Sequence, residues 1–260
     1  MLRNEDFPEY LDIRMVDSIA ILTLNRPEAE NRFRHFEEVP EFRRFIREAD
    51  KDKDILAIVL TGAGNEWFSA GPLTDNWGSV QQIDVGWDED DLDYIRNDAQ
   101  WDNDWVREIL EVRKPILTAL NGSAMGKPMT WALLTDFVIA EEHAELRDMH
   151  VTSGVSSATG PFIWPMTTGL MHAKRWIMTG DPIDATTAAN IGLVTEVVSS
   201  GNSLERALEY ARKLVALRPE TLWMTKRAIN NWLLNKNNEL FVPALISELS
   251  MLPRKKNSKS

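Results

Sequence analysis

The feature that most restricts this chain is a set of short, nearly unbroken apolar runs, each closed by a turn or polar boundary. Ile55–Leu60 is apolar throughout and stops at Thr61-Gly62. Ile116–Leu120 stops at Asn121-Gly122, and Phe137–Ala140 is a third such run. A strand with one wet face alternates polar and apolar residues. A continuous run belongs instead to a strand covered on both faces, as in parallel sheets. Helical spacing separates the runs: within 37–49, Val39, Phe42, Phe45, Ile46 and Ala49 fall on one face. Upstream, residues 10–24 alternate around Asp17-Ser18, which predicts a β-hairpin. From Gly169 to Leu234 the pattern is mostly helical, punctuated by Gly180-Asp181-Pro182 and Arg218-Pro219. The order of these elements predicts an α/β chain of repeated β-β-α units with partly parallel sheets.

Composition narrows the chemistry. The 260 residues, 43% of them hydrophobic and 27% charged, suffice for one domain with a sizeable core. The absence of cysteine excludes disulfides, thiolate nucleophiles and cysteine metal sites. His35, His143, His150 and His172 form no i, i+4 pair, so no metal site is expected, nor any resident cofactor. A net charge of −11 argues against nucleic acid, which requires clustered Lys and Arg. The basic tail 254–260 reads as a solvated terminus; its final Ser-Lys-Ser resembles a peroxisomal address but lacks the closing Leu. Residues 1–14 are too polar for a signal peptide, and no apolar run is long enough to cross a membrane. The expectation is a soluble cytoplasmic protein.

Residues 81–104 are set apart by nine acidic side chains against the single base Arg96, with Trp87, Tyr94 and Trp101 interleaved. This segment reads as a solvated loop entering an amphipathic helix whose buried face carries Trp101, Trp105 and Ile109. The sharper alternative is a lid that brings aromatic side chains to a substrate. Two catalytic motifs fail on spacing. Gly62-Ala63-Gly64 lacks the third glycine of a dinucleotide loop, and Ser123 lies in Gly-Ser-Ala-Met-Gly rather than a nucleophile elbow.

Three stretches together resemble the crotonase (enoyl-CoA hydratase/isomerase) superfamily: residues 55–71, residues 114–126 running on to 136–140, and residues 179–198. Asn25-Arg26-Pro27 also fits, and the resemblance holds in register over about 10–235. It implies a ββα spiral over residues 1–200, a helical C-terminal trimerisation region over 201–260, and a homotrimer or dimer of trimers. Leu240–Leu252 would pack at the subunit boundary.

In that superfamily two backbone N–H groups hold a thioester oxygen as it becomes an enolate, a preorganised arrangement that is usually a large catalytic effect. The first donor position, after Ser69-Ala70-Gly71, is Pro72, which has no N–H. The second falls on Lys127 within Gly126-Lys127-Pro128. Pro128 suits the first turn of a helix, which would place the lysine at the positive end of the helix dipole. A cation is disfavoured there unless an anion such as a substrate oxyanion compensates. Of the two glutamates used by hydratases, the first is replaced by Thr130 and the second by His150. Histidine titrates near neutrality and can serve as a base.

A histidine at the second position is similar to the 6-oxocamphor hydrolase-like β-diketone hydrolase branch. Trp164-Pro165 and Lys127-Pro128 stand where that branch has a Trp-Pro and a His-Pro pair. Glu248 would correspond to its C-terminal glutamate, whereas Thr159 and Phe33 replace its aspartate and pocket tryptophan. The reading favoured by this resemblance is C–C bond hydrolysis of a cyclic or bulky 1,3-dicarbonyl. His150 would be the base, oriented by Glu248, and Lys127 would hold the oxyanion. Ala70, Pro72 and Thr159 would line the site, and Phe33, Trp131 and Trp164 would supply an apolar wall. The alternative is an acyl-CoA hydratase, isomerase or hydrolase with atypical catalytic groups; a second alternative is a non-catalytic family member. Arg26, Arg32 and Lys226 are placed by analogy to meet the phosphates of CoA, while the acidic net charge opposes them.

Overall fold

The computed structural model describes residues 2–72, 104–154, 156–237 and 239. The hairpin forms as expected. β1 (Leu11–Val16) and β2 (Ile19–Leu24) pair antiparallel, with Val16 opposite Ile19. The two-residue turn between them needs a positive φ, and Asp17 adopts 54°. β2 then starts a parallel series. β3 (Ala57–Gly62), β5 (Ile116–Leu120), β7 (Phe137–Glu141) and β10 (Glu196–Val198) follow in the order β1-β2-β3-β5-β7-β10.

The apolar runs are continuous because this sheet is covered on both faces. Ile19, Ile21, Ala57, Val59, Leu117 and Ala119 face α7 (Ser203–Val215), which contributes Ala207, Leu208 and Ala211. The intervening Ala20, Leu22, Ile58, Leu60 and Leu120 face the main core. There they meet α1 (His35–Lys51), the helical residues 104–111 (α2) and α3 (Lys127–Leu134). The run expected at Ile55–Leu60 forms its strand two residues later, because Leu56 N–H first bonds Ser18 O across the hairpin turn.

A second sheet was not legible as strands in the sequence. β4 (Trp67–Ser69), β6 (Ser123–Met125), β8 (Glu145–Arg147) and β9 (Ile183–Asp184) lie in that order, the first three mutually parallel. The chain therefore alternates sheets: β3 then β4, β5 then β6, β7 then β8, each pair adding one strand to each sheet. This is the expected β-β-α repeat. The corners demand glycine. A Cβ on Gly122 would lie 2.2 Å from the carbonyl carbon of Glu66, and one on Gly62 would lie 2.7 Å from Phe68 O. Asn121 stitches the two corners, its side-chain oxygen accepting from Gly62 N–H and its amide donating to Gly64 O.

Of the amphipathic helix expected after the acidic segment, Trp105 and Ile109 are buried as anticipated. Trp101, the remaining acidic residues 81–103 and the lid reading lie outside the described residues. The C-terminal part is helical, with α4 (Gly160–Thr168), α5 (Leu170–Thr179), α6 (Ala185–Asn190), α7 and α8 (Pro219–Lys236). Its helices contact the sheet and the segments before β5 and β7. Besides α7 on the sheet, the Nζ of Lys226 on α8 bonds Asp136 at 2.7 Å and Lys114 O at 2.8 Å. Leu170, Met171 and Met178 on α5, and Met224, Ile229 and Trp232 on α8, are exposed. The segment Leu240–Leu252, expected at a subunit boundary, lies outside the described residues.

Candidate active site

The small sheet gathers the site. Because β4, β6 and β8 are parallel neighbours, their C-terminal ends open at one edge, the place where open α/β sheets hold their ligands. Strands lie about 4.8 Å apart, so three ends span roughly 10 Å. Those ends lead into Ala70-Gly71-Pro72, Gly126-Lys127-Pro128 and Asp148-Met149-His150. The three segments sit far apart in sequence, and strand alternation alone brings them together.

The first end is firmly tied. Ala70 is buried and donates its N–H to Glu30 O, Phe33 N–H bonds Gly71 O at 3.2 Å, and Phe33 and Pro72 form an isolated parallel bridge. Pro72 brings no donor to the edge. At the second end, Gly126 N–H extends the β6–β8 ladder to Arg147 O, and Lys127 opens α3 with Pro128 next. Lys127 is half-buried, with Nζ 6.0 Å from the Trp105 ring centroid. At that distance the ring face offers the ammonium a weak cation–π attraction.

Thr130 and Thr159, both singled out in the sequence, meet each other. Thr130 is buried, and its hydroxyl lies 3.2 Å from that of Thr159. Neither hydroxyl exchanges a proton readily near neutral pH; the titratable pair lies at the third strand end.

There His150 Nδ1 lies 2.5 Å from Oδ1 of Asp148, which also accepts the His150 backbone N–H. The other carboxylate oxygen accepts from Ser157 Oγ at 2.7 Å, and Ser157 Oγ in turn accepts Gly160 N–H. Asp148 is only 2% exposed, whereas His150 keeps 18% of its side-chain surface open. Burial alone would push the Asp148 carboxyl up, but the charge and hydrogen bonds of His150, with that of Ser157, hold it below the usual range. The group thus stays a carboxylate and favours the Nδ1–H tautomer, which leaves Nε2 as the basic nitrogen. Gly160 is required for this packing, since a Cβ would lie 2.7 Å from both Asp148 Oδ2 and Ser157 Oγ.

Asp148 is a partner of His150 that the sequence reading did not name, and Glu248, expected to orient His150, lies outside the described residues. The available signal was the Asp-x-His spacing, which folds an aspartate back onto its own histidine at a strand end. Phe33 and Trp131 stack at 4.8 Å, Trp131 and Phe42 at 4.6 Å, and Trp105 meets Trp131 edge-on. Phe33, Trp131 and Trp164 are at most 4% exposed. They pack in the core behind the strand ends. Two of the cations assigned to CoA are also committed internally. Arg26 holds Glu38 in a two-pronged pair, and Lys226 holds Asp136. Arg32 is partly exposed but bonded to Glu30.

Two interleaved sheets with a site at three parallel strand ends define a crotonase-type enzyme fold. The family model for enoyl-CoA hydratase/isomerase matches residues 14–242, and the chain belongs to that family. It is 30% identical over 213 residues to a short-chain-enoyl-CoA hydratase of Clostridium acetobutylicum, covering 82% of this chain and 77% of that one. It is also 30% identical over 218 residues to an (E)-benzylidenesuccinyl-CoA hydratase of Thauera aromatica, with 83% and 80% covered. Among solved structures, an enoyl-CoA hydratase/isomerase from Mycobacterium paratuberculosis superposes with a TM-score of 0.81 at 30% identity, over 95% of this chain and 94% of that one.

Proposed function

We propose that this protein adds water to an α,β-unsaturated acyl-CoA thioester, using the His150–Asp148 pair in place of two glutamates. The observation that supports the reading is this pair at the end of β8, with Lys127 following the neighbouring strand β6, in a chain whose relatives bear hydratase names. His150 Nε2 takes a proton from water as the oxygen adds to the β-carbon. The thioester carbonyl becomes an enolate held by Lys127. The same imidazolium then returns the proton to the α-carbon, so one histidine acts as base and then acid. Asp148 stabilises the imidazolium between the two steps. With Pro72 unable to donate, positive potential from the lysine ammonium replaces the missing amide.

A second reading keeps the same groups and changes the substrate to a cyclic or bulky 1,3-dicarbonyl. Water activated by His150 adds to one carbonyl, the C–C bond breaks, and the departing enolate takes the proton from His150. It is favoured by the loss of glutamate at both family positions, Thr130 and His150. The subunits would assemble as a trimer or dimer of trimers, which would cover the exposed apolar side chains of α5 and α8. The deciding experiment offers the purified protein short-chain and aryl enoyl-CoAs and a set of cyclic 1,3-diketones. Loss of enoyl-thioester absorbance with formation of a 3-hydroxyacyl-CoA supports hydration. Ring-opened keto acids without CoA turnover replace it with the second reading, and inertness toward both refutes the proposal.

A further inference from the structure

A cavity of about 400 Å³ lies at the N-terminal end of strands β3 and β5 of the large sheet, whereas the candidate catalytic residues follow strands of the small sheet. It lies under the starts of β3 and β5, between the end of α1 and the α7–α8 turn. The volume falls in the range of small-molecule sites, roughly 300–1,000 Å³. β3 spans six residues at about 3.3 Å each, so roughly 20 Å separates the cavity from the corner at which the chain passes into the small sheet.

Its two halves differ in chemistry. The floor is apolar, formed by Leu56, Pro115, Leu214, Leu222 and Trp223. Charged side chains from the end of α1 and from the segment before β5 also line it. Of these, Arg113 is neutralised by Asp50, with Nε 3.0 Å from Oδ2, and Glu220 pairs with Arg218. Asp52 accepts the backbone N–H groups of Leu2 and Asp54. Lys114 donates from Nζ to the carbonyls of Ala49 and Asp52, two of its three available bonds. Lys51 and Lys53 are exposed and make no ion pair among the described residues. Once the internal pairs are set aside, Lys51, Lys53 and Lys114 stand against Asp52 alone. An apolar pocket with a net cationic lining complements an amphipathic anion with a single charged end.

We propose that this cavity is a second ligand site, distinct from the catalytic one, which takes a medium-chain fatty carboxylate. Its tail lies on Trp223 and Leu222, and its carboxylate meets Lys51, Lys53 and the remaining N–H of Lys114. Titration calorimetry of the full chain with decanoate tests this, with decanol and decyltrimethylammonium as uncharged and cationic controls. The expected result is one decanoate per chain, binding unchanged by saturating acyl-CoA, and weaker binding of both controls. Lys51→Glu with Lys53→Glu changes only exposed side chains and should weaken decanoate about ten-fold or more. Leu222→Trp fills the floor and should abolish binding, with melting temperature checked in both variants. The proposal is overturned if decanoate fails to bind, if decanol binds as well, if acyl-CoA displaces decanoate, or if both variants bind like the parent.

Discussion

Replacing Asp148 with Asn tests the catalytic pair most directly. The side chain keeps its size, so the contacts to Ser157 and to the turn before α4 can persist. It loses the charge that favours Nδ1–H on His150, and an amide that donates to Nδ1 imposes the opposite tautomer. Nε2 would then carry the proton and could not accept one from water. General base catalysis is worth about 10²–10⁴-fold, and Asp148→Asn should lose most of that range in kcat, with KM nearly unchanged. Stability should move much less. Hydrogen bonds to a charged group are worth about 1.5–3 kcal/mol each, but removing the carboxylate also removes the cost of burying it at 2% exposure.

The pH dependence gives a second readout. The Asp148 carboxyl sits below its ordinary range, so its stabilising effect is complete above the unfolded-state pKa of about 3.9. That contribution is lost as pH falls through the lower folded-state value. Melting temperatures taken between about pH 5 and pH 2 should therefore fall less steeply in Asp148→Asn than in the parent. The assay is steady-state turnover of the substrate found in the enoyl-CoA and diketone screen, alongside His150→Ala and the double variant. Groups acting as one unit should make the double no worse than His150→Ala alone. If Asp148→Asn turns over at the parental rate while His150→Ala is inactive, Asp148 is a structural partner only. If both retain parental rates, the pair is not the base.

Lys127→Met should lower turnover about 10²–10³-fold with melting temperature unchanged or slightly raised, and Lys127→Gly should not rescue it, because Pro72 still lacks a donor. Gly160→Ala should cut activity as its methyl displaces Asp148 and Ser157; a crystal structure with the Asp148–His150 contact intact and full activity would contradict this. Lys226→Met strands the nearly buried Asp136 and should cost roughly 3–5 kcal/mol in urea unfolding, whereas a loss below about 1 kcal/mol would show that Asp136 is well solvated. Light scattering should report a trimer or larger, with Trp232→Glu shifting it to smaller species, and a parent that stays monomeric at micromolar concentration would refute the assembly.

The sequence by itself determined the hairpin, the buried strands and the helical C-terminal part, because each rests on a local period. Alternation, continuous apolarity and i, i+3/i+4 spacing are set by which faces meet water, and neighbours in the chain suffice to read them. It also determined that Pro72 cannot donate and that Thr130 cannot transfer a proton, since both follow from residue type. The three-residue strands β4, β6 and β8 were illegible. They are too short to show a period and are strands only because parallel partners complete their backbone hydrogen bonds. The site depends on them, as their common edge brings residues 72, 127 and 150 together. Tertiary structure alone decided that Asp148 bonds His150, because that contact depends on how the chain folds back at the end of β8. It likewise decided that Arg26 and Lys226 are bound to carboxylates of their own chain and that Phe33 and Trp131 stack in the core. A cation's partner and an aromatic ring's exposure are set by segments far along the chain, which no local pattern specifies.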